Sequence, residues 1–306
     1  MKVLTSPSSM GQVGSEPFEK KKKNGFEIIN NPFGRKLSEE EVIDLAKDCV
    51  GIVAGVELLN KRVMNALPKL RCISRVGVGM DNVDLEYAKK KNIIVRNTPD
   101  GPTRAVAEFT LGMTLSLLRK IPQADHDMKS KIWEKQTGNL LQGKEIGVIG
   151  LGRIGKMVSS IFRALGSSIN GYDLYPDEQW AMDHGIRLQT LNELLKISDI
   201  ITLHVPPSKG NRALISKNEF KFIKSTALLI NISRGGVVNE DDLYDVLVNK
   251  KIGGAAIDVF KEEPYKGKLC ELENVILTPH LGSYAAEGKL QMEIDAVNNM
   301  INVLNS

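Results

Sequence analysis

An apolar run leads directly into three spaced glycines in the segment Ile146-Gly147-Val148-Ile149-Gly150-Leu151-Gly152-Arg153-Ile154-Gly155. This order predicts a buried strand, a tight turn and the start of a helix. Gly150 permits the turn, Gly152 lets the backbone approach a pyrophosphate, and Gly155 lets the helix pack closely on the strand. The helix N-terminus then points toward the phosphates. The residues predicted to line them are Gly150, Gly152, Arg153, Ile154 and Gly155.

An acidic residue follows the next predicted strand. Asp173 stands 173 − 155 = 18 positions after Gly155, close to the separation of about 20 that dinucleotide sites show. A carboxylate there accepts hydrogen bonds from the ribose hydroxyls of NAD and repels the additional phosphate of NADP. The following Leu174-Tyr175-Pro176 supplies no basic residue to neutralise such a phosphate. The pattern predicts NAD as the cofactor; the alternative is that the glycines only form a tight turn and Asp173 is a solvated loop residue.

Short apolar runs alternate with helix-length polar segments on both sides of this loop. In the second half, strands are predicted at residues 146–149, 169–172, 200–205, 227–232, 254–258 and 275–277. In the first half, the runs are Val3-Leu4, Ile28-Ile29, Ile52-Val53-Ala54, Cys72-Ile73-Ser74 and Ile93-Ile94-Val95. This alternation predicts an α/β protein with two doubly wound parallel-sheet domains, the second being a Rossmann NAD-binding domain.

Local signals predict where helices begin and where the two domains join. Ser38, Thr190 and Ser216 each have a glutamate three residues later, which is the spacing of a capping box. Turn residues interrupt the pattern at 97–102, where we place a hinge before a long apolar helix. A final amphipathic helix is expected to pack back on the first domain, with its apolar side at Leu290, Ile294, Val297 and Ile301.

Composition indicates an ordinary globular protein. The 306 residues are 42% hydrophobic and 25% charged, and 41 basic against 37 acidic residues give a net charge of +4. That balance is too small and too mixed to indicate a nucleic-acid partner. The run Lys20-Lys21-Lys22-Lys23 is interpreted as the solvated end of a helix rather than an anionic binding patch.

Cysteine usage and hydropathy bear on the compartment. Cys49, Cys72 and Cys270 are widely spaced and form no Cys-x-x-Cys pair, so neither a disulfide framework nor a zinc site is expected. No stretch of about 18 apolar residues occurs, and the N-terminal segment lacks the apolar core of a signal peptide. A cytoplasmic protein without a membrane segment or a metal is the expectation.

Three ionisable residues follow predicted strands, at the sheet edge where parallel α/β folds place ligands. Arg234 precedes Gly235-Gly236, and its planar guanidinium suits a carboxylate with two oxygens. The alternative for Arg234 is a surface salt bridge. His280 has the chemistry to protonate a ketone oxygen and to take the proton back. Glu263 is a candidate to hold the imidazole and to raise its pKa.

The other three histidines are weaker candidates for proton transfer. His126 and His184 lie in polar surroundings and are expected to be solvated. His204 ends a predicted strand before Pro206-Pro207 and is either next to the cofactor or structural.

These motifs resemble the D-2-hydroxyacid dehydrogenase family, and its phosphoglycerate dehydrogenase-like members in particular, over nearly the whole chain. The resemblance rests on Val76-Gly77-Val78-Gly79-Met80-Asp81-Asn82-Val83-Asp84, Ala107-Glu108, the glycine loop, His204-Val205-Pro206, Asn231-Ile232-Ser233-Arg234-Gly235, Asp258-Val259-Phe260, Glu263-Pro264 and Thr278-Pro279-His280-Leu281-Gly282. It implies that Arg234, Glu263 and His280 are the catalytic arginine, glutamate and histidine.

The resemblance also implies binding roles and a domain division. Backbone amides of the loop with Val76, Gly77, Val78 and Gly79 are expected to hold the substrate carboxylate together with Arg234. The further residues implied at the cofactor are His204, Val205, Pro206, Ser233, Asp258 and His280, with Asp258 on the nicotinamide carboxamide.

Residues 1–98 and 282–306 are expected to form a smaller, flavodoxin-like substrate-binding domain, and residues 99–281 the NAD-binding domain. The family resemblance further implies a homodimer formed through the NAD-binding domain, with partner-facing surface within residues 111–133.

The sequence departs from the family in places that concern the substrate. Phosphoglycerate dehydrogenases commonly carry an arginine in the segment equivalent to Ile52-Val53-Ala54-Gly55-Val56, and none is present here. Arg75 and Arg104 are the candidate replacements. Pro102 and Ala105 stand where the family often has asparagine and serine. No C-terminal regulatory domain is expected, and Glu263 rather than glutamine points away from formate dehydrogenases.

Three functions therefore compete. The leading one is an NAD-dependent enzyme that interconverts 2-hydroxy and 2-oxo acids, 3-phosphoglycerate being one candidate. The second is an NAD-sensing binding protein that resembles the family's transcriptional corepressors, although these normally carry extra interaction segments. The third is oxidation of an unusual oxyanion such as phosphite. Turnover of any 2-oxo acid separates the first from the second.

Overall fold

The computed structural model describes residues 1–207, 210 and 212–306. Contacts divide the chain into two units, which are described separately. Unit 1 comprises Met1–Pro102 with Ser283–Ser306, and unit 2 comprises Thr103–Gly282. The predicted boundaries fall 102 − 98 = 4 residues and 282 − 281 = 1 residue from these divisions.

The elements alternate as the sequence predicts. The strands are β1 (Lys2–Thr5), β2 (Glu27–Asn30), β3 (Gly51–Ala54), β4 (Cys72–Arg75), β5 (Ile94–Arg96), β6 (Glu145–Ile149), β7 (Ser168–Tyr172), β8 (Arg187–Leu188), β9 (Ile200–Leu203), β10 (Leu228–Asn231), β11 (Gly254–Ile257) and β12 (Val275–Leu277). The helices are α1 (Glu16–Lys23), α2 (Glu39–Ala46), α3 (Lys61–Ala66), α4 (Leu85–Lys90), α5 (Gly101–Arg119), α6 (Ile121–Lys129), α7 (Arg153–Ala164), α8 (Glu178–Asp183), α9 (Leu191–Ile197), α10 (Lys217–Phe220), α11 (Glu240–Val248) and α12 (Ala286–Asn305). A short 3₁₀ helix spans Lys268–Glu271.

Unit 1 is built on a five-stranded sheet with the order β2-β1-β3-β4-β5, in which every pairing is parallel. This is the flavodoxin-like order. Successive residues of β1 face opposite sides: Val3 packs in the core with α12, and Leu4 packs in the core with α2 and α3. Because apolar side chains pack against both faces of the sheet, strand residues are buried on either side.

Helix α12 covers one face of this sheet, as predicted, but its buried stripe differs from the predicted one. Of the four predicted apolar positions, Val297 is fully buried, whereas Leu290, Ile294 and Ile301 are only half-buried. The fully buried side chains are Met292, Glu293, Ala296, Val297, Met300 and Leu304. The buried stripe includes Glu293, whose carboxylate accepts the Gly11 N–H at 2.9 Å.

The prediction for the lysine run is wrong at one position. Lys21 is buried, with its Nζ donating to Thr5 Oγ1 and lying 4.3 Å from the centroid of the Phe18 ring. The cause is the packing of α1 against α12, because α1 turns one side to the interior and so buries one lysine of the run. Desolvation lowers the pKa of Lys21 to about 7, although Glu293 opposes the shift.

Unit 2 contains a seven-stranded parallel sheet with the order β12-β11-β10-β9-β6-β7-β8. The chain builds outward from β6 through β7 and β8, then returns to place β9 on the other side of β6. The carboxyl ends of β6 and β9 therefore form the topological switch point of a Rossmann fold. Strand β8 was not predicted because it has two residues. Strand β9 ends before its predicted limit, since Pro206-Pro207 supply no backbone N–H to the ladder.

All three predicted capping boxes are confirmed. The glutamates Glu41, Glu193 and Glu219 accept hydrogen bonds from the backbone N–H groups of Ser38, Thr190 and Ser216. Each box starts a helix at the predicted position, so these boundaries are fixed by local chemistry.

The three thiols are free. Burial raises the pKa of Cys49 to about 11 and that of Cys72 to about 12, whereas Cys270 is exposed. Over the described part of the chain, no helix combines the length and the apolar content needed to cross a bilayer.

Candidate active site

The glycine loop connects β6 to α7 in unit 2. Gly150 has φ +95°, and a Cβ there would overlap the His204 carbonyl, so the position requires glycine. A Cβ on Gly155 would overlap the Gly150 carbonyl oxygen. Gly152 is the N-cap of α7, and no side chain among the described residues caps this helix end. The amides of the first turn are thus suited to a diphosphate.

Asp173 stands directly after β7, beside this loop. One carboxylate oxygen accepts the Leu151 N–H at 2.7 Å, and the other accepts the Tyr175 N–H at 2.9 Å. Because each carboxylate oxygen has two acceptor positions, both retain capacity for a ribose hydroxyl. The bond to Leu151 joins Asp173 to the glycine loop. The loop amides suited to the diphosphate and the carboxylate suited to the ribose are therefore held together, and this arrangement fits NAD.

His204 follows β9 and packs against the glycine loop. Its Nε2 lies 2.9 Å from Thr202 Oγ1, and burial lowers its pKa to about 3. The imidazole is therefore neutral in the physiological range and cannot serve as the proton donor. Its carbonyl and the Val205 side chain occupy the space above Gly150. His204 thus has a structural role at the loop, and its place next to the cofactor stays a prediction.

The residues Arg234, Glu263 and His280 lie beyond the neighbouring strands β10, β11 and β12. The predicted contact within this group is present: His280 Nδ1 is 3.0 Å from Glu263 Oε2. The other Glu263 oxygen accepts the Phe260 N–H at 3.1 Å, which fixes the carboxylate. An imidazole held through Nδ1 presents Nε2 for proton transfer.

Arg234 lies in a turn that packs on the loop carrying Glu263. A Cβ on Gly235 would overlap the Phe260 backbone, so the two turns touch directly. Asn231 organises the turn from the end of β10: its amide donates to the Arg234 carbonyl at 3.0 Å, and its oxygen accepts the Ser233 N–H at 3.1 Å. The guanidinium is half-buried and donates to the Ser233 carbonyl at 2.8 Å.

Asp258, at the same sheet edge, positions His280. Asp258 is fully buried after β11, and its carboxylate accepts three donors from the next loop: Thr278 Oγ1 at 2.6 Å, the Leu281 N–H at 2.7 Å and the Gly282 N–H at 2.8 Å. His280 adopts φ +56° and donates its N–H to the Asp258 carbonyl at 2.9 Å. Asp258 therefore holds His280 in a left-handed conformation that costs energy.

Sequence reasoning missed this function of Asp258 and the contribution of Thr278. The signal was available, because Asp258 and Thr278 are the residues immediately after the adjacent parallel strands β11 and β12. Residues in that relation lie side by side at the carboxyl edge. The predicted contact of Asp258 with a nicotinamide carboxamide remains a prediction.

In unit 1, two backbone amides of the loop after β4 have partners within the protein. The Val76 N–H donates to the Ala54 carbonyl at 2.8 Å, and the Gly77 N–H donates to Thr98 Oγ1 at 2.7 Å. These two amides are paired within unit 1, and the contact of the loop amides with a substrate carboxylate stays a prediction. The assignment passes to the amides of Val78 and Gly79, as a proposal.

The residues that depart from the family are placed as follows. Arg75 ends β4 and donates to the Val76 carbonyl, with its guanidinium in the space that a Gly77 side chain would need. Arg104 lies on the exposed side of α5 and pairs with Glu108 at 2.7 Å. Such an exposed pair contributes little stability. Pro102 and Ala105 are buried.

A Rossmann unit, a flavodoxin-like unit and an arginine, glutamate and histidine at one sheet edge define a two-domain NAD-binding dehydrogenase fold. Residues 111–282 match the family described as "D-isomer specific 2-hydroxyacid dehydrogenase, NAD binding domain". The chain belongs to this family.

Relatives agree with this assignment. The D-3-phosphoglycerate dehydrogenase of Methanocaldococcus jannaschii is 42% identical over 258 residues, which are 83% of this chain and 49% of the relative. The Homo sapiens D-3-phosphoglycerate dehydrogenase is 39% identical over 269 residues, 87% of this chain and 50% of the relative. The chain thus spans about half the length of these curated relatives.

Solved structures match over almost the whole chain. A protein from Thermus thermophilus has a TM-score of 0.91 at 28% identity, and the match covers 100% of this chain and 97% of that protein. The D-lactate dehydrogenase of Aquifex aeolicus, complexed with NAD and lactic acid, has a TM-score of 0.87 at 28% identity, with 100% and 96% coverage.

Proposed function

We propose that this chain is an NAD-dependent D-2-hydroxyacid dehydrogenase that reversibly interconverts a 2-hydroxy acid and the 2-oxo acid. The observation that carries the proposal is the pair of His280 Nδ1 and Glu263 Oε2, 3.0 Å apart, in the same Rossmann unit as the glycine loop. A carboxylate bonded to one nitrogen of an imidazole orients the ring and leaves the other nitrogen for proton transfer.

When NAD is bound, its nicotinamide supplies the chemistry of hydride transfer. In the reducing direction, His280 would donate its Nε2 proton to the carbonyl oxygen at C2, and the cofactor in its reduced form, NADH, would supply the hydride to C2. The 2-oxo acid thus gains one hydride and one proton and becomes the 2-hydroxy acid. In the other direction, neutral His280 accepts the hydroxyl proton. Glu263 orients the ring in both directions.

Arg234 orients the substrate in this proposal. Its half-buried guanidinium stays charged at any working pH and matches the two oxygens of a carboxylate. In unit 1, the amides of Val78 and Gly79 are the proposed carboxylate donors. Unit 1 is accordingly the substrate-binding domain and unit 2 the NAD-binding domain. The names of the relatives supply 3-phosphoglycerate, lactate and glyoxylate or hydroxypyruvate as candidate substrates.

Asp173 supports NAD over NADP, because a fixed carboxylate with free acceptor capacity binds ribose hydroxyls and repels a phosphate. The remaining proposed cofactor contacts are Gly150, Gly152, Arg153, Ile154, Gly155, His204, Val205, Pro206, Ser233 and Asp258.

A homodimer through unit 2 and a cytoplasmic location complete the proposal. Large apolar side chains are exposed along and after α6, at Ile121, Met128, Ile132 and Trp133, the last being 81% exposed. Such a patch suits a partner subunit. The buried free thiols of Cys49 and Cys72 suit a reducing compartment. Light scattering of wild type and Trp133→Glu tests the dimer: a wild-type mass of one chain would contradict it.

The activity is tested by NADH oxidation over phosphorylated, aliphatic, aromatic and dicarboxylic 2-oxo acids. His280→Ala is expected to reduce kcat/KM about 10²- to 10⁴-fold, the range of general acid catalysis. Arg234→Ala is expected to raise KM and reduce kcat, whereas the matched control His126→Ala, on exposed α6, retains activity. Binding of NAD without turnover of any acid would contradict the proposal, and turnover that survives His280→Ala would contradict the assigned proton donor.

A further inference from the structure

Two loops meet at the carboxyl edge of the unit 1 sheet, after the adjacent strands β3 and β4. The Asn82 side chain joins them, donating to the Gly55 carbonyl at 3.2 Å and to the Glu57 carbonyl at 2.6 Å. In return, the Leu59 N–H donates to the Asn82 carbonyl at 2.8 Å. The loop after β3 is therefore fixed beside the loop that carries Val78 and Gly79, where the proposed function places the substrate carboxylate.

A carboxylate lies inside the first of these loops. Glu57 is only 2% exposed, and the Gly55 N–H lies 3.0 Å and 3.1 Å from its two oxygens. The Ser6 hydroxyl, at the end of β1, donates to the same carboxylate. These donors, a backbone amide and a hydroxyl at the ends of parallel strands, are groups that would otherwise bind an external anion. The protein fills this position with its own anion.

The exposed side chains next to Glu57 are apolar. The Val56 side chain is 56% exposed, and Val78 on the neighbouring loop is 39% exposed. The Arg75 guanidinium lies at Gly77 and donates to the Val76 carbonyl, and Arg35 pairs with Glu41 at 2.6 Å. The edge beside the substrate carboxylate thus combines a buried negative charge with exposed methyl groups.

We propose that Glu57 is a specificity-determining residue that selects 2-oxo acids whose substituent beyond C2 is short and uncharged. The proposal rests on the dehydrogenase function proposed above. A phosphate or a second carboxylate beside this loop is repelled by the Glu57 carboxylate, and the Gly55 amide and the Ser6 hydroxyl already donate to Glu57. A hydrogen, hydroxyl or alkyl substituent meets no such repulsion and packs against Val56 and Val78.

The test compares hydroxypyruvate with 3-phosphohydroxypyruvate, which differ by the phosphate alone. The wild type is expected to reduce hydroxypyruvate with a kcat/KM about 100-fold higher, since like charges at close range cost several kcal/mol. Glu57→Gln is expected to reduce this ratio about 10-fold, mainly through a lower KM for the phosphorylated acid. The control Glu86→Gln removes an exposed charge from the same unit and is expected to keep the wild-type ratio.

Several outcomes overturn the proposal. A wild-type preference for 3-phosphohydroxypyruvate contradicts it directly, and a parallel change for both acids in Glu57→Gln shows a merely structural role. If Glu57→Gln does not fold, Ser6→Ala serves as the second variant. The proposal is also overturned if the wild type reduces both acids with similar kcat/KM and Ser6→Ala leaves that ratio unchanged. If no 2-oxo acid is reduced although NAD binds, the dehydrogenase function itself fails, and the proposal fails with it.

Discussion

Both units are built on a parallel sheet, but the backbone amides of their glycine-containing loops are used differently. In unit 2, the loop after β6 leaves the first turn of α7 without a side-chain cap among the described residues. In unit 1, the loop after β4 has its Val76 and Gly77 amides already paired, and Glu57 takes up donors of the loop beside it. The carboxyl edge of a parallel sheet can thus bind a ligand. Which ligand it binds depends on which backbone N–H groups already donate to other groups of the protein.

Gly155→Ala, in the glycine loop of unit 2, is expected to have the largest effect. A Cβ at this position overlaps the Gly150 carbonyl oxygen, so the strand and α7 must separate. We expect a loss of NAD affinity of about 100-fold or more, since a displaced helix end no longer meets the diphosphate. Calorimetry of NAD binding measures it.

The matched control for this change is Gly112→Ala on α5, where an added Cβ meets no described atom within 4 Å. It is expected to leave NAD binding intact and to stabilise the fold by about 0.4–1 kcal/mol. Equal NAD affinities of the two variants would show that close packing at Gly155 is unimportant.

Thr278→Val tests whether the histidine loop depends on its buried anchor. Valine keeps the shape of threonine but leaves one buried Asp258 oxygen without its hydroxyl donor. The cost is about 1–3 kcal/mol, and we expect most of it as a loosened His280, with kcat reduced about 10-fold and NAD affinity unchanged.

Thr278→Ser retains the hydroxyl and is the rescue variant. Its kcat should return to within about 3-fold of the wild type, because the hydrogen bond is worth more than the lost methyl. Similar losses in both variants would mean that packing rather than the bond to Asp258 positions the loop.

Asp173→Asn tests the choice between NAD and NADP in unit 2. The neutral amide removes the repulsion toward a 2′-phosphate and weakens the bonds that Leu151 and Tyr175 donate. We expect NAD affinity to fall about 10-fold, since hydrogen bonds to a charged group are worth about 1.5–3 kcal/mol. NADP affinity should rise.

The nearby Asp177→Asn is the control for Asp173→Asn, because Asp177 pairs with Lys156 on the surface. Fluorescence titration with both cofactors gives the NAD to NADP ratio, and a ratio unchanged by Asp173→Asn would contradict the role of Asp173.

The smallest expected effect is a pH dependence confined to unit 1. The pKa of Lys21 is about 7 in the folded protein and 10.5 when solvated, so the unfolded chain binds the proton more tightly between these values. The destabilisation by Lys21 is complete below pH 7 and disappears as the pH rises toward 10.5. Unfolding free energy should therefore increase by about 1 kcal/mol between about pH 7 and 8.

Amide hydrogen exchange in β1 and α1 measures this slope. Lys21→Met keeps the length of the side chain and should remove the slope, while the exposed neighbour variant Lys22→Met should preserve it. An equal slope in Lys21→Met would show that Lys21 is not the group responsible.

Features set by short segments were predictable from the sequence. The glycine loop, Asp173 and the capping boxes depend on residues close in the chain or on a fixed spacing. The contact of Glu263 with His280 was also foreseen, because both follow strands of one sheet.

Features set by distant packing were not predictable. Glu57 and Ser6 are 51 residues apart, and the burial of Lys21 depends on α12 near the other end of the chain. The paired Gly77 amide likewise depends on a threonine 21 residues away. A pattern of residue types does not show which backbone donors such contacts consume.

The neutral imidazole of His204 gives the protein an internal spectroscopic reporter. Because its pKa is about 3 and its carbonyl packs on Gly150, its ring proton resonances should stay constant in chemical shift from about pH 5 to 9. Those resonances should move when the glycine loop binds a nucleotide. With only four histidines in the chain, one NMR titration can then separate occupancy of the loop from protonation of His280.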